Sequence, residues 1–216
     1  MALSKVDYNS LNVTPAASKA LKWNSTPNGF ETGDIAGSMI LLATETADGS
    51  GTTLTFDSDI DSTYKEYIFK YINIHPQTDQ VNFTVNFRDG STAYDATKTT
   101  TSFETYHSED DVHAAVAYNT GYDHAQSTSA QIIATTVGNG NDDNVNGTLH
   151  LFNPSSTTFV KHFLARTAQN YRVGLPMALE LYAAGYCNVT VAIDGVQFAM
   201  SSGNIDAGTI KMYGVT

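Results

Sequence analysis

Cysteine is nearly absent from this chain: among its 216 residues, Cys187 alone carries a thiol. A single cysteine excludes an intrachain disulfide and fits folding in a reducing cytoplasm. A chain of this length buries roughly 70% of its unfolded surface, so it needs neither a disulfide nor a structural metal to fold. We interpret Cys187 as a small buried hydrophobic residue rather than a nucleophile.

Basic residues are also scarce, with 11 Lys and Arg against 22 Asp and Glu, and the formal net charge is −11. Their scatter along the chain argues against a nucleic-acid binder, because neutralising phosphates requires clustered Lys and Arg. No stretch approaches the roughly 18 apolar residues of a transmembrane helix. Residues 1–23 lack the basic and then apolar pattern of a secretory signal. We therefore expect no nucleic-acid partner and no membrane insertion.

Sequence motifs of catalysis are missing as well. The chain contains no Gly-x-Ser-x-Gly elbow, no Walker loop, no dinucleotide-binding glycine motif and no His-Glu-x-x-His. The six histidines show no zinc-ligand spacing. The densest polar cluster is interpreted as a solvated loop, with a metal-centred site as the alternative; it consists of His107, Glu109, Asp110, Asp111 and His113. The sequence predicts a protein that is not an enzyme, with no catalytic residue and no cofactor.

What the chain does have is the composition of β-sheets with polar outer faces: Thr, Ser, Asn, Gly and Tyr are abundant. Between Val81 and Arg88, apolar residues alternate with polar ones, as in a strand with one wet face. Further strand-like runs separated by turn residues cover 38–44, 52–56, 65–75, 102–107, 130–138, 148–153, 159–166, 179–183, 189–193, 196–200 and 209–213. This pattern predicts an all-β fold, an antiparallel β-sandwich or jelly roll of about ten to twelve strands, over residues 37–216.

Three segments carry sharper local predictions. Residues 65–75 are apolar on both faces, which predicts a strand that is covered on both sides. Residues 110–118 favour one turn of helix or a loop. The Asp194-Gly195 pair lies between two alternating runs, 189–193 and 196–200, and predicts a hairpin with a two-residue turn. A bend that leads into a single strand is the alternative.

Residues 1–36 differ from the rest of the chain. Their apolar residues are sparse and follow no sustained period, although residues 18–23 favour one short turn of helix. Such a segment cannot bury enough surface to fold alone. We expect an extended N-terminal arm that docks on a neighbouring copy or another partner, and a flexible tail is the alternative.

Two acidic loops are candidate calcium sites. Asp142, Asn144 and Asn146 supply the first half of a calcium loop, but Asn153 stands where a bidentate Glu is expected. A second run is formed by Asp57, Asp59 and Asp61, with Ser62 in place of the glycine of the sharp turn. Ordinary turns between strands are the alternative for both loops, so we predict no metal site.

Tyrosine is the most distinctive side chain, with 12 copies. It combines an apolar ring with a hydroxyl, which suits subunit interfaces and sugar stacking alike. Candidates for either use are Tyr67, Tyr71, Tyr118, Tyr122, Tyr171, Tyr182 and Tyr186.

Three stretches carry a family resemblance: DSTYKEYIFKYINIHP at 61–76, LHLFNPSSTTFVKHFLART at 149–167 and VQFAMSSGNIDAGTIKMYGV at 196–215. Together they resemble virion structural proteins of marine tailed bacteriophages, including those that infect cyanobacteria. The resemblance covers roughly residues 38–216. It implies a β-sandwich on tail fibres, spikes or other structures of the particle surface, often as a homotrimer, and it supplies no catalytic residue.

These observations lead to one functional expectation and its alternatives. We expect a structural protein of the virion surface, a component of a tail fibre, spike or other appendage. It would be made in the host cytoplasm and would assemble as a homo-oligomer, with residues 1–36 docking on other virion proteins. The alternatives are a lectin-like module that binds host-surface glycan, a capsid decoration protein, and last a depolymerase.

Overall fold

The computed structural model describes residues 19–24, 26, 29–34 and 39–215. The chain divides into two compact units, Met1–Ser38 and Met39–Thr216. In the described residues all regular structure is β-strand, and every strand pairing is antiparallel. This confirms the predicted all-β, antiparallel fold class.

The first unit contains a hairpin of β1 (Lys19–Trp23) and β2 (Phe30–Asp34). The rings of Trp23 and Phe30 face each other across the pair, with centroids 4.4 Å apart. The helical turn predicted for residues 18–23 is therefore wrong, because pairing with a second strand outweighs the weak local preference for helix. Residues 1–18 of the predicted arm lie outside the described residues.

In the second unit, the described residues 39–215 form twelve strands in two sheets. The large sheet has the order β3-β14-β5-β10-β11-β12-β7-β8, and the small sheet has the order β4-β13-β6-β9. The strands are β3 Met39–Thr46, β4 Thr53–Phe56, β5 Glu66–Pro76, β6 Val81–Arg88, β7 Lys98–Ser108, β8 Ala114–Tyr118, β9 Gln131–Val137, β10 Val145–Phe152, β11 Lys161–Arg172, β12 Leu175–Cys187, β13 Gly195–Met200 and β14 Ile205–Val215.

The core lies between the two sheets and is rich in aromatic rings. Tyr71 and Phe69 of β5 meet Phe83 of β6 and Phe198 of β13, with ring centroids 5.5–6.2 Å apart. All four side chains are buried. Burial of aromatic side chains that project from both sheets stabilises the sandwich and fixes the strand register. The predicted β-sandwich is confirmed.

Two pairs of strands lengthen the large sheet on the same side. β7 and β8 are inserted in the chain between β6 and β9, and β11 and β12 are inserted between β10 and β13. All four lie beyond β10 in the large sheet. The sheet therefore extends four strands past β10, and this extension carries the features described below.

Three local predictions need correction. Residues 189–192 form no strand, and β13 pairs with β4 and β6, so the Asp194-Gly195 hairpin is wrong. Residues 114–118 form strand β8 rather than helix, because β7 offers them an open edge. The outer side of β5 is open rather than covered, and Ile72 is 43% exposed there.

Candidate functional site

The outer face of the extension is the one directed away from the small sheet. Along each strand, exposed side chains on this face alternate with buried side chains on the inner face. In β11, Phe163 and Ala165 are buried, whereas Leu164 and Arg166, each one residue further along, are exposed. The same alternation runs through β12 and most of β7. The register of these strands therefore decides which outer side chains lie side by side.

An aromatic wall crosses three strands of this face. Phe103 of β7 pairs with Tyr182 of β12, which in turn pairs with Arg166 of β11. The Phe103 and Tyr182 rings are stacked, with centroids 4.6 Å apart and planes at 6°. The Arg166 guanidinium lies 5.4 Å from the centroid of the Tyr182 ring. Tyr182 is thus held between a second ring and a cation, an arrangement that limits the freedom of its side chain.

A groove of about 470 Å³ follows one side of the wall. Its floor is formed by the next outer row of side chains, Thr101, Ala184, Leu164 and His150, which pair in that order across β7, β12, β11 and β10. Leu164 is 50% exposed in this floor. Beyond the floor, a second depression is bounded by Tyr186, His162 and Phe152. Small and apolar residues thus line the bottom of the groove, and larger rings stand on its two sides.

The polar groups along the groove are already paired with carboxylates. The guanidinium of Arg166 bonds to Glu180, and the Tyr182 hydroxyl donates to the same carboxylate at 2.7 Å. The hydrogen bond from Arg166 lowers the pKa of Glu180, and donation to Glu180 raises the pKa of Tyr182. His150 Nδ1 lies 2.6 Å from Glu66 Oε1. Both contacts orient the side chains, and the Arg166–Glu180 pair carries no net charge.

The strand β8 at one end of the large sheet has an open edge. Ser108 N donates to His113 O at 2.8 Å, and Asn119 N donates to Ser102 O at 3.2 Å. Since alternate residues of an antiparallel strand bond to its neighbour, the N–H and C=O groups of Ala114, Val116 and Tyr118 point away from β7. Val116 is 75% exposed, and β8 carries no charged side chain.

The first candidate calcium loop is held together by its own hydrogen bonds. Asn144 N donates to Asn170 Oδ1 at 3.0 Å, and Asn144 Nδ2 donates to the carbonyl of Asp142 at 3.3 Å. Asn146 donates to Asn144 Oδ1 at 2.5 Å and accepts a bond from Asn73 N at 2.8 Å. The side chains of Asn144 and Asn146 therefore take part in the hydrogen bonds of a turn.

The second candidate loop is also built of turn contacts. Asp61 Oδ1 accepts from Thr63 N at 2.8 Å, and this bond lowers the pKa of Asp61. Asp59 has a positive φ of 62° and accepts from Ser58. The carbonyl of Asp57 accepts from Arg88. Within the described part of the chain, no three His, Cys, Asp or Glu side chains are grouped so as to hold a metal ion.

The histidine-rich segment forms the turn between β7 and β8. Asp110 Oδ1 accepts from the Ser108 hydroxyl and from Val112 N, at 2.5 and 3.1 Å. His107 Nε2 lies 3.0 Å from Asp111 Oδ1 at the surface. The acidic side chains thus close a turn that presents β8 beside β7.

The predicted tyrosines serve different purposes. Tyr67 and Tyr71 are buried in the core. The Tyr122 hydroxyl lies 2.6 Å from the hydroxyl of Thr135 on β9 of the small sheet. Tyr182 and Tyr186 line the outer face. The single sequence cannot separate these groups, because the face of a tyrosine depends on strand register. Tyr118 lies at the β8 edge, and Tyr171 follows the buried stretch of β11.

His75 is a paired residue that the sequence did not indicate. Its Nδ1 lies 2.6 Å from Asp206 Oδ1 on β14, and its Nε2 lies 3.0 Å from the carbonyl of Gly140. Burial opposes the charged imidazole, but the hydrogen bonds to Asp206 and Gly140 outweigh it and raise the pKa of His75. His75 thereby ties the end of β5 to the loop before β10.

Comparisons with protein-family models, with curated protein sequences and with solved structures find no match to this chain. Among the described residues, none belongs to a helix long and apolar enough to cross a membrane.

Proposed function

We propose that this chain is a structural protein of a tailed-bacteriophage particle, a component of a tail fibre, spike or other surface appendage. It assembles with copies of itself and with other virion proteins, and it is made in the host cytoplasm. The proposal rests on the resemblance of residues 38–216 to virion proteins and on the strand order of the second unit. Residues 1–36 are its proposed attachment arm.

The strand order is the observation that carries the proposal. The orders β3-β14-β5-β10 and β4-β13-β6-β9 interleave strands from the two ends of the unit. Two Greek keys folded on each other produce this arrangement, and we assign it as a jelly roll. Jelly rolls recur in viral coat proteins and lectins, which suits a protein that works through its surfaces. Fold analogy alone does not fix function, so an assembly surface is needed as well.

The β8 edge is the proposed assembly surface. An exposed edge strand without charge, proline or bulge is a template for another strand. β8 (AAVAY) has none of these protecting features, and Val116 projects from it. A neighbouring copy that adds a strand here would satisfy the outward N–H and C=O groups of Ala114, Val116 and Tyr118.

The N-terminal hairpin supplies a second proposed contact. Trp23 is 63% exposed, and Leu21 on the same strand is 48% exposed. Exposed aromatic and aliphatic side chains of this size are typical of the centre of protein interfaces. We assign them to contact with another virion chain.

Two related roles fit the same fold. A capsid decoration protein would use the same edge to join neighbouring copies on the capsid rather than on the tail. A receptor-binding module would use the groove beside Phe103 and Tyr182, and this specific feature makes it the second candidate.

Charge at the β8 edge tests the assembly role. We expect Val116→Lys to weaken self-association at least about tenfold, because a lysine at the edge opposes strand addition. The matched control is Val191→Lys, which adds the same charge at an exposed valine of the loop before β13. Sedimentation of the full chain across a concentration series measures the association constant of each variant.

The control defines the outcomes. A wild-type oligomer that Val116→Lys dissociates and Val191→Lys leaves intact supports the proposal. A wild-type chain that stays monomeric at all concentrations, or two variants with equal effects, would overturn the assignment of the β8 edge. Circular dichroism and thermal unfolding of both variants verify that the sandwich is folded.

A further inference from the structure

The groove on the outer face combines three properties: an apolar floor, aromatic sides and polar groups that are fixed in position. From this combination we infer that the groove is a binding site for a neutral glycan. The inference deepens the receptor-binding candidate under the proposed function, and it does not depend on how the chain assembles. The groove has a volume of about 470 Å³, within the range of small-ligand sites, about 300–1,000 Å³.

The charge state of the groove selects an uncharged ligand. Arg166 is neutralised by Glu180, and His150 is paired with Glu66. An anionic ligand would have to compete with these carboxylates, and a cationic ligand would meet the guanidinium of Arg166. A neutral ligand has neither cost.

The remaining hydrogen-bonding atoms suit a ligand with many hydroxyl groups. Arg166 bonds to Glu180 through Nε and His150 bonds to Glu66 through Nδ1, so each side chain presents further nitrogen atoms along the groove. Because His150 Nδ1 bonds to the Glu66 carboxylate, Nε2 is the ring nitrogen that remains for a ligand hydroxyl, a group that can both donate and accept a hydrogen bond. The hydroxyls of Thr101 and Thr148 also line the groove. Donors and acceptors thus border the apolar surface of Leu164 and Ala184.

The floor suits the ring of a sugar. Ala184 and Thr101 are small, and Leu164 offers an exposed apolar surface between them and His150. A pyranose has apolar C–H faces and hydroxyls around its rim, so it can lie on this floor while its rim reaches Arg166 and His150. The Phe103 and Tyr182 pair bounds one side of the ring. Fixed partners reduce the entropy lost on binding, which compensates for the small contact area.

Two threonines on β7 provide a matched test. Thr101 lies in the groove, whereas Thr105 lies on the same face of the same strand but on the other side of Phe103. We expect Thr101→Trp to fill the groove and to reduce sugar binding at least about tenfold. Thr105→Trp adds the same indole outside the groove and should leave binding within about twofold.

Saturation-transfer NMR on the full chain measures binding to methyl glucoside, methyl mannoside and methyl galactoside, with glucuronate as the anionic counterpart. Transfer to at least one neutral sugar that is lost in Thr101→Trp and kept in Thr105→Trp supports the inference. No transfer to any neutral sugar, equal effects of the two variants, or stronger binding of glucuronate would overturn it. The oligomeric state of the same samples distinguishes this failure from failure of the assembly proposal.

Discussion

Cys187 lies on the inner face of β12, where it pairs with Lys161 on one side and Lys98 on the other. Burial raises the pKa of its thiol to about 12. The thiolate is the reactive form, so at about pH 8 the buried thiol holds roughly a thousandth of the thiolate of an exposed cysteine. We expect iodoacetamide to leave Cys187 unmodified in the folded protein and to label it fully in guanidinium chloride, as measured by mass spectrometry. Rapid labelling of the folded chain would contradict the buried placement.

Individual residues were predictable from the sequence where one local rule applied. The alternation of Val81, Phe83, Val85 and Phe87 placed all four in the core. The partners of His75 and Arg166 were not predictable, because Asp206 is 131 residues from His75 and strand register alone brings them together. Register depends on the packing of whole sheets, which no short stretch of sequence contains.

The His75 contact joins three elements: β5, β14 and the loop that contains Gly140. Gly140 O accepts from Nε2 and the Asp206 carboxylate accepts from Nδ1, so both ring nitrogens donate in the imidazolium form. Asp143 of the same loop adds a further negative charge. The pKa of His75 is raised in the folded state, so the protonated imidazole stabilises the folded protein. This stabilisation is complete at pH values below the ordinary histidine pKa of about 6.5. The stabilisation is lost as the pH rises through the raised value.

We therefore expect the free energy of unfolding to differ between the wild type and His75→Gln by an amount that depends on pH. The free energy of unfolding of the wild type should exceed that of His75→Gln most at about pH 5.5, and the difference should shrink towards about pH 8.5. Urea unfolding at several pH values measures both. Asp206→Asn removes the carboxylate and serves as the control, since it should flatten the pH dependence of the wild type. A difference that is constant or grows with pH would show that the charged imidazole is not the stabilising form.

The sequence predicted strands well where they are long and alternate between apolar and polar residues. It failed where a segment becomes a strand only by pairing with a neighbouring strand. Eleven of the twelve runs predicted between 38 and 213 overlap strands of the sandwich, and the exception is 189–193. Residues 114–118 and 19–23 form strands only because an edge is available to each. Residues 189–193 show the reverse case. Their alternation of Val189, Val191 and Ile193 is strand-like, but Val191 remains exposed in a loop. Periodicity states what a segment could form, whereas the partner determines what it does form.

At the scale of the whole molecule, net charge and the proposed assembly oppose each other. Each copy carries a formal charge of −11, so copies repel one another as they approach. The β8 edge strand (AAVAY) carries no charged side chain, so it adds no local repulsion between two copies. Association through backbone hydrogen bonds and apolar contacts gains nothing from charge and is hindered only by the long-range field. Salt shortens the reach of that field from about 20 Å at low ionic strength to below about 10 Å above 0.1 M.

We therefore expect self-association to strengthen with salt. The association constant should rise several-fold between about 20 mM and about 300 mM sodium chloride, as measured by sedimentation of the full chain. Val116→Lys is the control, since a chain whose edge is blocked should remain dissociated at both salt concentrations. Ion pairs between copies would give the opposite response, because salt weakens them. A fall in the association constant with salt would therefore contradict assembly through β8 and would indicate that copies associate through charged side chains.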